Sequence, residues 1–231
     1  MKKGMFIVLE GPDKAGKSTQ ARLLVKALRG RGLKVVHSRE PGGTPLAEEI
    51  RRILLRPGRR VVPVTELLLY EAARAQHVAE KIRPALESGK VVVCERFTVA
   101  TVAYQGSGRG LPLGTIFRID STARDGVEPD MTVVLDIPEE RFQTRMEGKR
   151  FDRIEREGAE FRARIRKGYR STYLEGLPLN NLKWVDADRP MDQVHKEILT
   201  LTLSLLGRGK KVPLSVKGSG KHSPLSLKRR G

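Results

Sequence analysis

The stretch FIVLEGPDKAGKSTQARLLVKAL, residues 6–28, decides the fold. Phe6–Leu9 is a short apolar run of strand character. Ala21, Leu24, Val25 and Leu28 then recur at i, i+3, i+4 and i+7, the single apolar face of an amphipathic helix. Between them, Gly11, Pro12, Asp13, Lys14, Ala15, Gly16, Lys17 and Ser18 fill the pattern G-x-x-x-x-G-K-[ST]. A strand–loop–helix carrying that pattern wraps backbone N–H groups around phosphates at the positive end of the helix. Lys17 is placed to reach the terminal phosphates, and the Ser18 hydroxyl to ligate Mg²⁺. Asp13 and Lys14 are not needed for the turn. Asp13 either caps backbone groups or reaches a sugar hydroxyl or the metal shell; Lys14 is either solvated or brings charge to a transferring phosphoryl group. Motif spacing leaves both pairs open.

Outward from this loop, further apolar runs predict strands at Leu33–Val36, Val91–Cys94, Met131–Leu135 and Lys183–Val185. Several are Val-rich and without polar alternation, as in a sheet covered on both faces. Helical patterns separate them. TELLLYEAARAQHVAEKIRPALESG (65–89) predicts a long helical region opening on a Thr65 cap, perturbed by Pro84 and closed by Gly89. PEERFQTRM (138–146) and GAEFRARIRKGYRSTYLEG (158–176) predict two more helices, and a last one runs from Asp192 to about Leu206. Strand–helix alternation implies an α/β doubly wound parallel sheet whose ligands bind outside the strands' carboxyl ends. Residues 1–206 read as one domain. Residues 207–231 are Gly-, Ser-, Pro- and Lys-rich and aperiodic, a solvated basic tail rather than a folded unit.

The formal net charge of +18 would ordinarily suggest nucleic acid. Its distribution argues otherwise, because 8 of the 45 basic residues and no acids fall from Gly207 onward, leaving 37 against 27, or +10. A body that grips small anionic ligands carries that excess, and nucleic-acid contact through the tail is the less favoured use of it. The single cysteine, Cys94, excludes an intrachain disulfide, and four scattered histidines have no metal-ligand spacing. No apolar run is long enough to span a membrane, and the apolar stretch after Lys2 and Lys3 stops at Glu10, too soon for a signal peptide. The expectation is a cytoplasmic protein.

A P-loop serves GTPase switches, motors and small kinases. A kinase needs a second anion site facing the first and a segment that closes over both. SREPGGT (38–44) supplies a glycine-bearing turn with Arg39 at the end of the second strand. In VVVCERFTVATVAYQGSGRG (91–110), Glu95 and Arg96 stand where the third strand ends, and a glycine-rich turn follows Tyr104-Gln105. GKRFDRIEREG (148–158) is an arginine-dense stretch flanked by glycines, placed as a lid at about 147–158.

The ordered set GPDKAGKST, REPGGT, LLLYEAARAQH, ERF, AYQGSGRG, PD before VVLDIP, and DRIE resembles the thymidylate kinase family, from about Met5 to Leu206. The resemblance implies a P-loop nucleoside-monophosphate-kinase-like three-layer fold: a five-stranded parallel sheet, helices on both faces and an arginine-rich lid. It implies phosphorylation of dTMP to dTDP by ATP with Mg²⁺, in dTTP synthesis, by a homodimer. Gly11, Pro12, Asp13, Lys14, Ala15, Gly16, Lys17, Ser18 and Thr19 would bind ATP, with Arg145 on the adenosine side. Arg96 would hold the acceptor phosphate, Tyr70 stack on thymine, Arg74 bond the base carbonyl and Thr101 read the ring N–H. Tyr104 would crowd the 2′ position, Gln105 and Arg39 belong to the acceptor site, and Asp13 would bind the 3′-hydroxyl. Ser18 would ligate Mg²⁺, with Glu95 acting through water. Lys17, Lys14, Arg96 and Arg153 would carry the catalytic charge.

Two features depart from the family pattern. Cations stand both in the loop (Lys14) and in the lid (Arg150, Arg153), where family members tend to use one place; Arg153 in DRIE is the better matched. Glu95 stands where the family usually has Asp. A Glu-Arg pair also resembles deoxynucleoside kinases, whose uncharged 5′-hydroxyl acceptor requires a carboxylate base. The competing readings are therefore a same-fold kinase with another acceptor, and a nucleotide-binding regulator that no longer catalyses.

Overall fold

The computed structural model describes residues 4–146, 151–174 and 181–209. Five strands, β1 (Met5–Glu10), β2 (Val35–Arg39), β3 (Val91–Glu95), β4 (Met131–Asp136) and β5 (Leu182–Asp186), form one sheet in the order β2-β3-β1-β4-β5. All four pairings are parallel. β1 therefore lies at the centre, and the loop that follows it opens beside the ends of β3 and β4.

Alternation along β1 sorts the helices into two layers. Ile7 and Leu9 pack with Ala21, Leu24, Val25 and Leu28 of α1 (Lys17–Arg29) and with Val194 and Ile198 of the last helix. Phe6 and Val8 face the other way, against Val78, Ile82, Leu86 and Phe97. Each central strand is thus buried on both faces, and this is why its sequence shows no polar alternation.

The long helical region begins earlier than its Thr65 was expected to place it. Helix α3 (Pro63–His77) is entered from Val62, with Pro63 in the first turn where a missing N–H costs nothing. It widens into a π-helical turn, Val78–Ile82, and continues as α4 (Arg83–Glu87), so Pro84 sits at the start of a new α segment. Strand β2 starts at Val35, two residues later than Leu33, and runs on to Arg39.

Two helices were not anticipated. Helix α2 (Pro45–Leu55) follows REPGGT directly: Thr44 Oγ1 accepts the Ala47 N–H at 3.4 Å, and Pro45 and Glu48 occupy the first turn. The sequence signal was present as Thr-Pro-x-x-Glu. Helix α6 (Leu113–Arg124) is the other. The segment read as a glycine-rich turn is mostly helical: α5 (Thr98–Thr101) passes into a π-helical stretch, Val102–Gly108. Close packing explains part of that glycine content, because α8 (Ala159–Leu174) approaches it so nearly that a Cβ on Gly108 would lie 2.9 Å from a ring carbon of Phe161.

Helix α7 (Glu139–Met146) precedes the lid, and α9 (Met191–Gly209) starts one residue before Asp192 and extends past the boundary expected at 206. The remainder of the tail and lid residues 147–150, Arg150 among them, lie outside the described residues.

Candidate active site

The phosphate loop leaves β1 at Gly11, whose φ of 129° and absent side chain are both required: a Cβ there would meet the Leu135 carbonyl oxygen at 2.2 Å. Gly16 caps α1 in the left-handed region. Lys14 and, at the end of β3, Arg96 also adopt positive φ, 62° and 68°. For non-glycine residues that is strain, which persists only where the surroundings impose it. Both residues line the cleft formed by the phosphate loop.

Lys17 Nζ donates to the carbonyls of Gly11 at 2.9 Å and Pro12 at 2.7 Å. Burial, with the nearby Arg96 charge, pushes its pKa down to about 7 despite Asp13, Glu10 and Glu95. The Ser18 hydroxyl donates to Glu95 Oε2, and His37 Nε2 lies 3.0 Å from Glu95 Oε1. Burial would raise the Glu95 pKa, but hydrogen bonds from His37 and Ser18 outweigh it and keep the carboxyl below its usual range. Glu95 lines the phosphate-loop cleft together with Lys14, Lys17, Ser18 and Thr19. It is not among the described residues around the neighbouring acceptor cleft.

The acceptor cleft is lined by Asp13, Tyr70, Arg74, Arg96, Thr101, Tyr104 and Gln105, all anticipated, together with Arg51 and Asp152. Arg96 is its electropositive pole. Its Nη1 donates to the Tyr169 hydroxyl and its Nη2 to the Tyr104 hydroxyl, both at 3.0 Å, and Nη2 is also ion-paired with Asp13. Tyr104 in turn donates to Asp13 Oδ2 at 2.8 Å. Buried Glu10 supports this cluster from β1. Its Oε1 accepts the N–H groups of Phe97 at 2.7 Å and Ala100 at 3.1 Å, fixing the start of α5, and burial raises its pKa to about 7.

Arg74 is 2% exposed and held by carboxylates from three elements: Glu40 at 2.8 Å, and Glu71 and Asp120 at 2.7 Å each. Tyr70, on the same helix, is half-buried. Gln105 donates to Glu66 at 2.9 Å, and its buried side chain is thereby fixed. Arg39 is more exposed, pairs with Glu48 at 3.2 Å and lines the phosphate-loop cleft rather than the acceptor cleft.

The lid meets the loop through an ion pair between Lys14 and Glu155 at 2.7 Å. Asp152 Oδ1 accepts the N–H groups of Ile154 and Glu155, both at 2.9 Å, and this tightens the lid into a turn. Arg153 does not join the phosphate-facing cations. Its Nε donates to the Leu54 carbonyl at 2.6 Å, and its Nη2 lies 2.7 Å from Glu66, so it fastens the lid to α2 and α3. The Arg145 side chain lies outside the described residues, although its backbone belongs to α7.

Arg51, Glu10 and Asp152 were missed by sequence reasoning. Arg51 lines both clefts and hangs from the unanticipated α2, where its Nη1 donates to the Pro41 carbonyl at 2.9 Å. Asp13, Glu40, Arg51, Arg96 and Asp152 form a wall common to the two clefts. The arrangement therefore offers a phosphate-binding loop and a second cationic site separated by one layer of side chains.

Comparison with known proteins places this geometry. A sequence model of the family described as Thymidylate kinase matches residues 9–198. A protein of Pseudomonas fluorescens (strain Pf0-1) named Thymidylate kinase is 47% identical over 205 residues, 88% of this chain and 97% of its own. One of the same name from Pelotomaculum thermopropionicum is 48% identical over 200 residues, covering 85% and 92%. A third, from Symbiobacterium thermophilum, is 45% identical over 205 residues, covering 88% and 95%.

Proposed function

The chain belongs to the thymidylate kinase family, and from that premise we propose that it phosphorylates dTMP to dTDP, for dTTP synthesis, by direct transfer of the terminal phosphoryl group of Mg·ATP across the wall that its two clefts share. That common wall is the observation that carries the reading: Asp13, Arg51 and Arg96 belong to both clefts, so an anion in one lies next to an anion in the other.

The chemistry follows from charge. A phosphate monoester oxygen is already a nucleophile at neutral pH, so the acceptor needs no general base. What opposes reaction is repulsion between two anions, and preorganised cations relieve it. Lys17, held by loop carbonyls, shifts to the terminal phosphates; Arg96 holds the acceptor phosphate; Lys14, drawn toward the junction by Glu155, adds a third charge. In this reading Arg153 acts by holding the lid closed, and the direct role expected of it passes to Lys14. Tyr70 covers the base, Arg74 and Thr101 read its edge, and Tyr104, held by Asp13 and Arg96, closes the space beside the sugar. Gln105 stiffens that wall, and Arg39 and Arg51 add positive potential at the mouth.

The donor set fits a hard divalent cation such as Mg²⁺: a hydroxyl on Ser18 beside an ionised carboxylate on Glu95, with phosphate oxygens supplying further ligands. When bound, that ion neutralises charge on the phosphates undergoing transfer. Among the described residues no group of three or more His, Cys, Asp or Glu side chains could hold a metal by itself, which supports an ion that arrives with the nucleotide.

Leu46 and Ile53 on α2, Val64 and Leu68 on α3, and Leu113 on α6 leave large apolar side chains exposed on helices that pack against one another. This supports a homodimer through that face, checked by light scattering on the intact chain and on Leu68→Glu. No described helix is long and apolar enough to cross a membrane, and we place the enzyme in the cytoplasm. Residues 1–206 form the catalytic unit, the lid spans about 147–158, and the basic tail beyond is dispensable for turnover; tail deletion that abolished activity would reverse that assignment.

Coupled ADP release with Mg·ATP and a panel of dTMP, dUMP, dCMP, UMP and thymidine tests the whole reading. Preference for dTMP is expected. Preference for thymidine, or ATP binding without turnover on any acceptor, would overturn it.

A further inference from the structure

Behind the part of the acceptor-cleft wall formed by Arg74 and Thr101 lies a buried carboxylate that does not itself line the cleft. Glu71, on α3 one turn before Arg74, is buried, and its Oε1 accepts from Arg74 Nη1 at 2.7 Å and from the Thr101 hydroxyl at 3.0 Å. A hydroxyl has one hydrogen and two lone pairs, and a carboxylate oxygen only accepts. The Thr101 hydrogen is therefore committed to Glu71. Arg74 Nη1, which lies 3.1 Å from Thr101 Oγ1, at most shares a hydrogen with it, because its two hydrogens are directed to Glu71 and Asp120. The remaining capacity of Thr101 toward the cleft is as an acceptor.

Arg74 completes the pattern. Its Nε is used by Glu40 and its Nη1 by Glu71 and Asp120. Among the described residues Nη2 is its one nitrogen without a protein partner, on a side chain that lines the cleft. The wall thus presents an acceptor beside a donor.

We propose that Glu71 is a specificity-determining positioning residue: by taking the Thr101 hydroxyl hydrogen it fixes the wall as acceptor-plus-donor, so the site accepts a pyrimidine with a ring N–H beside a carbonyl and rejects one with a bare ring nitrogen beside an amino group. This rests on the assignment of Thr101 and Arg74 to the base edge made above. Thymine and uracil have the accepted pattern, and cytosine has its inverse. Against cytosine both contacts set like against like, leaving buried polar groups unpaired, the form of discrimination that reaches large factors.

The inference holds whether or not Glu71 is ionised. Burial raises its pKa to about 7; Arg74 opposes this, and Asp120 and Glu40 add to it. Its Oε2 is buried and has no partner among the described residues, so a proton taken up by Glu71 sits there and Oε1 remains an acceptor. Without Glu71, a threonine hydroxyl turns freely to donate into the cleft. An amide at the same position keeps its Oε1 on Arg74 and Thr101, with its NH2 where the unpartnered Oε2 lies, and so preserves the pattern.

The test measures kcat/KM and, separately by calorimetry, affinity for dTMP and dCMP with wild type, Glu71→Ala, Glu71→Gln and Thr101→Val. Wild type should prefer dTMP by at least about 10³-fold; preference below tenfold overturns the proposal without any variant. Glu71→Ala should cut the preference at least tenfold, by losing dTMP and gaining dCMP, while Glu71→Gln, whose Oε1 takes the same place, retains most of it. Glu71→Leu replaces the alanine variant if that does not fold, with the same expected direction. A folded Glu71→Ala or Glu71→Leu protein with wild-type preference overturns the proposal. If Thr101→Val collapses the preference in that case, the base-edge assignment stands and only the role of Glu71 falls. If Thr101→Val leaves the preference intact, the base-edge assignment falls too.

Discussion

The Arg96 guanidinium and the Asp13 carboxylate are ion-paired between the end of β3 and the phosphate loop, 83 residues apart in sequence. Tyr104 bridges them, accepting from Arg96 at 3.0 Å and donating to Asp13 at 2.8 Å. Burial would raise the Asp13 pKa, but Arg96 first, then Lys17 and Tyr104, hold it below the usual range. An acceptor phosphate on Arg96 therefore competes with an ionised partner already in place.

From that pairing, Arg96→Ala should lower kcat/KM for dTMP by about 10²–10³-fold or more, with ATP affinity changed less than about twofold. Turnover with the acceptor panel and calorimetry with ATP measure the two separately. An equal loss of both would remove Arg96 from the acceptor site.

Lys17 gives a pH signature. Its folded pKa is about 7, below the ordinary 10.5, so folding favours the neutral form. This group's contribution to stability accordingly grows as pH rises from about 7 toward 10.5, because the unfolded chain then binds the extra proton. Phosphates beside Nζ restore the charge. Mg·ATP binding at pH 8 should take up close to one proton (~0.9), falling to ~0.1 at pH 6, as read by calorimetry in buffers of different ionisation enthalpy. Equal uptake at both pH values would contradict the shift.

Lys14 and Arg153 should separate cleanly. Lys14→Ala, removing a cation beside the lid junction, should lower kcat by about 10²-fold with thermal stability nearly unchanged. Arg153→Ala removes one partner of buried Glu66, which keeps Arg109 and Gln105, together with the hydrogen bond to Leu54, and should cost about 1–3 kcal/mol of stability, seen as a lowered Tm, while kcat of the folded enzyme stays within a few-fold. The reverse outcome would make Arg153 the catalytic cation.

Glu95→Ala should raise the Mg²⁺ concentration for half-maximal activity by about 10–100-fold, because Ser18 loses its acceptor and the loop its nearby carboxylate. Binding of dTMP without ATP should be unaffected. A large fall in dTMP affinity instead would place Glu95 in the acceptor site.

Much of this was legible in the chain. The loop motif between an apolar run and an amphipathic repeat specified β1 and α1 because each residue there satisfies a local backbone or packing requirement. The ordered motifs likewise pointed to Arg74, Arg96, Thr101 and Tyr104. Less legible were α2, which buries only Ala47 and Leu54, α6, which carries Gly114 near its start and Asp120, Ser121 and Thr122 near its end, and the π-helical stretch 102–108, whose glycines suggest a turn until α8 is seen packed against it. Arg51 was missed together with its helix. Arg153 was read from its motif as catalytic, but its side chain lies on Glu66 and Leu54.

By itself the sequence determined the strand–loop–helix core and the parallel sheet, because periodicity and motif spacing encode local geometry and burial. Only the tertiary structure decided which charges neutralise one another. Asp13 with Arg96, Glu71 with Thr101 and Arg74, and Glu66 with Arg153 are contacts between distant segments. The role of a charged side chain depends on the partner within about 3 Å of it, and that partner is chosen by how the elements pack.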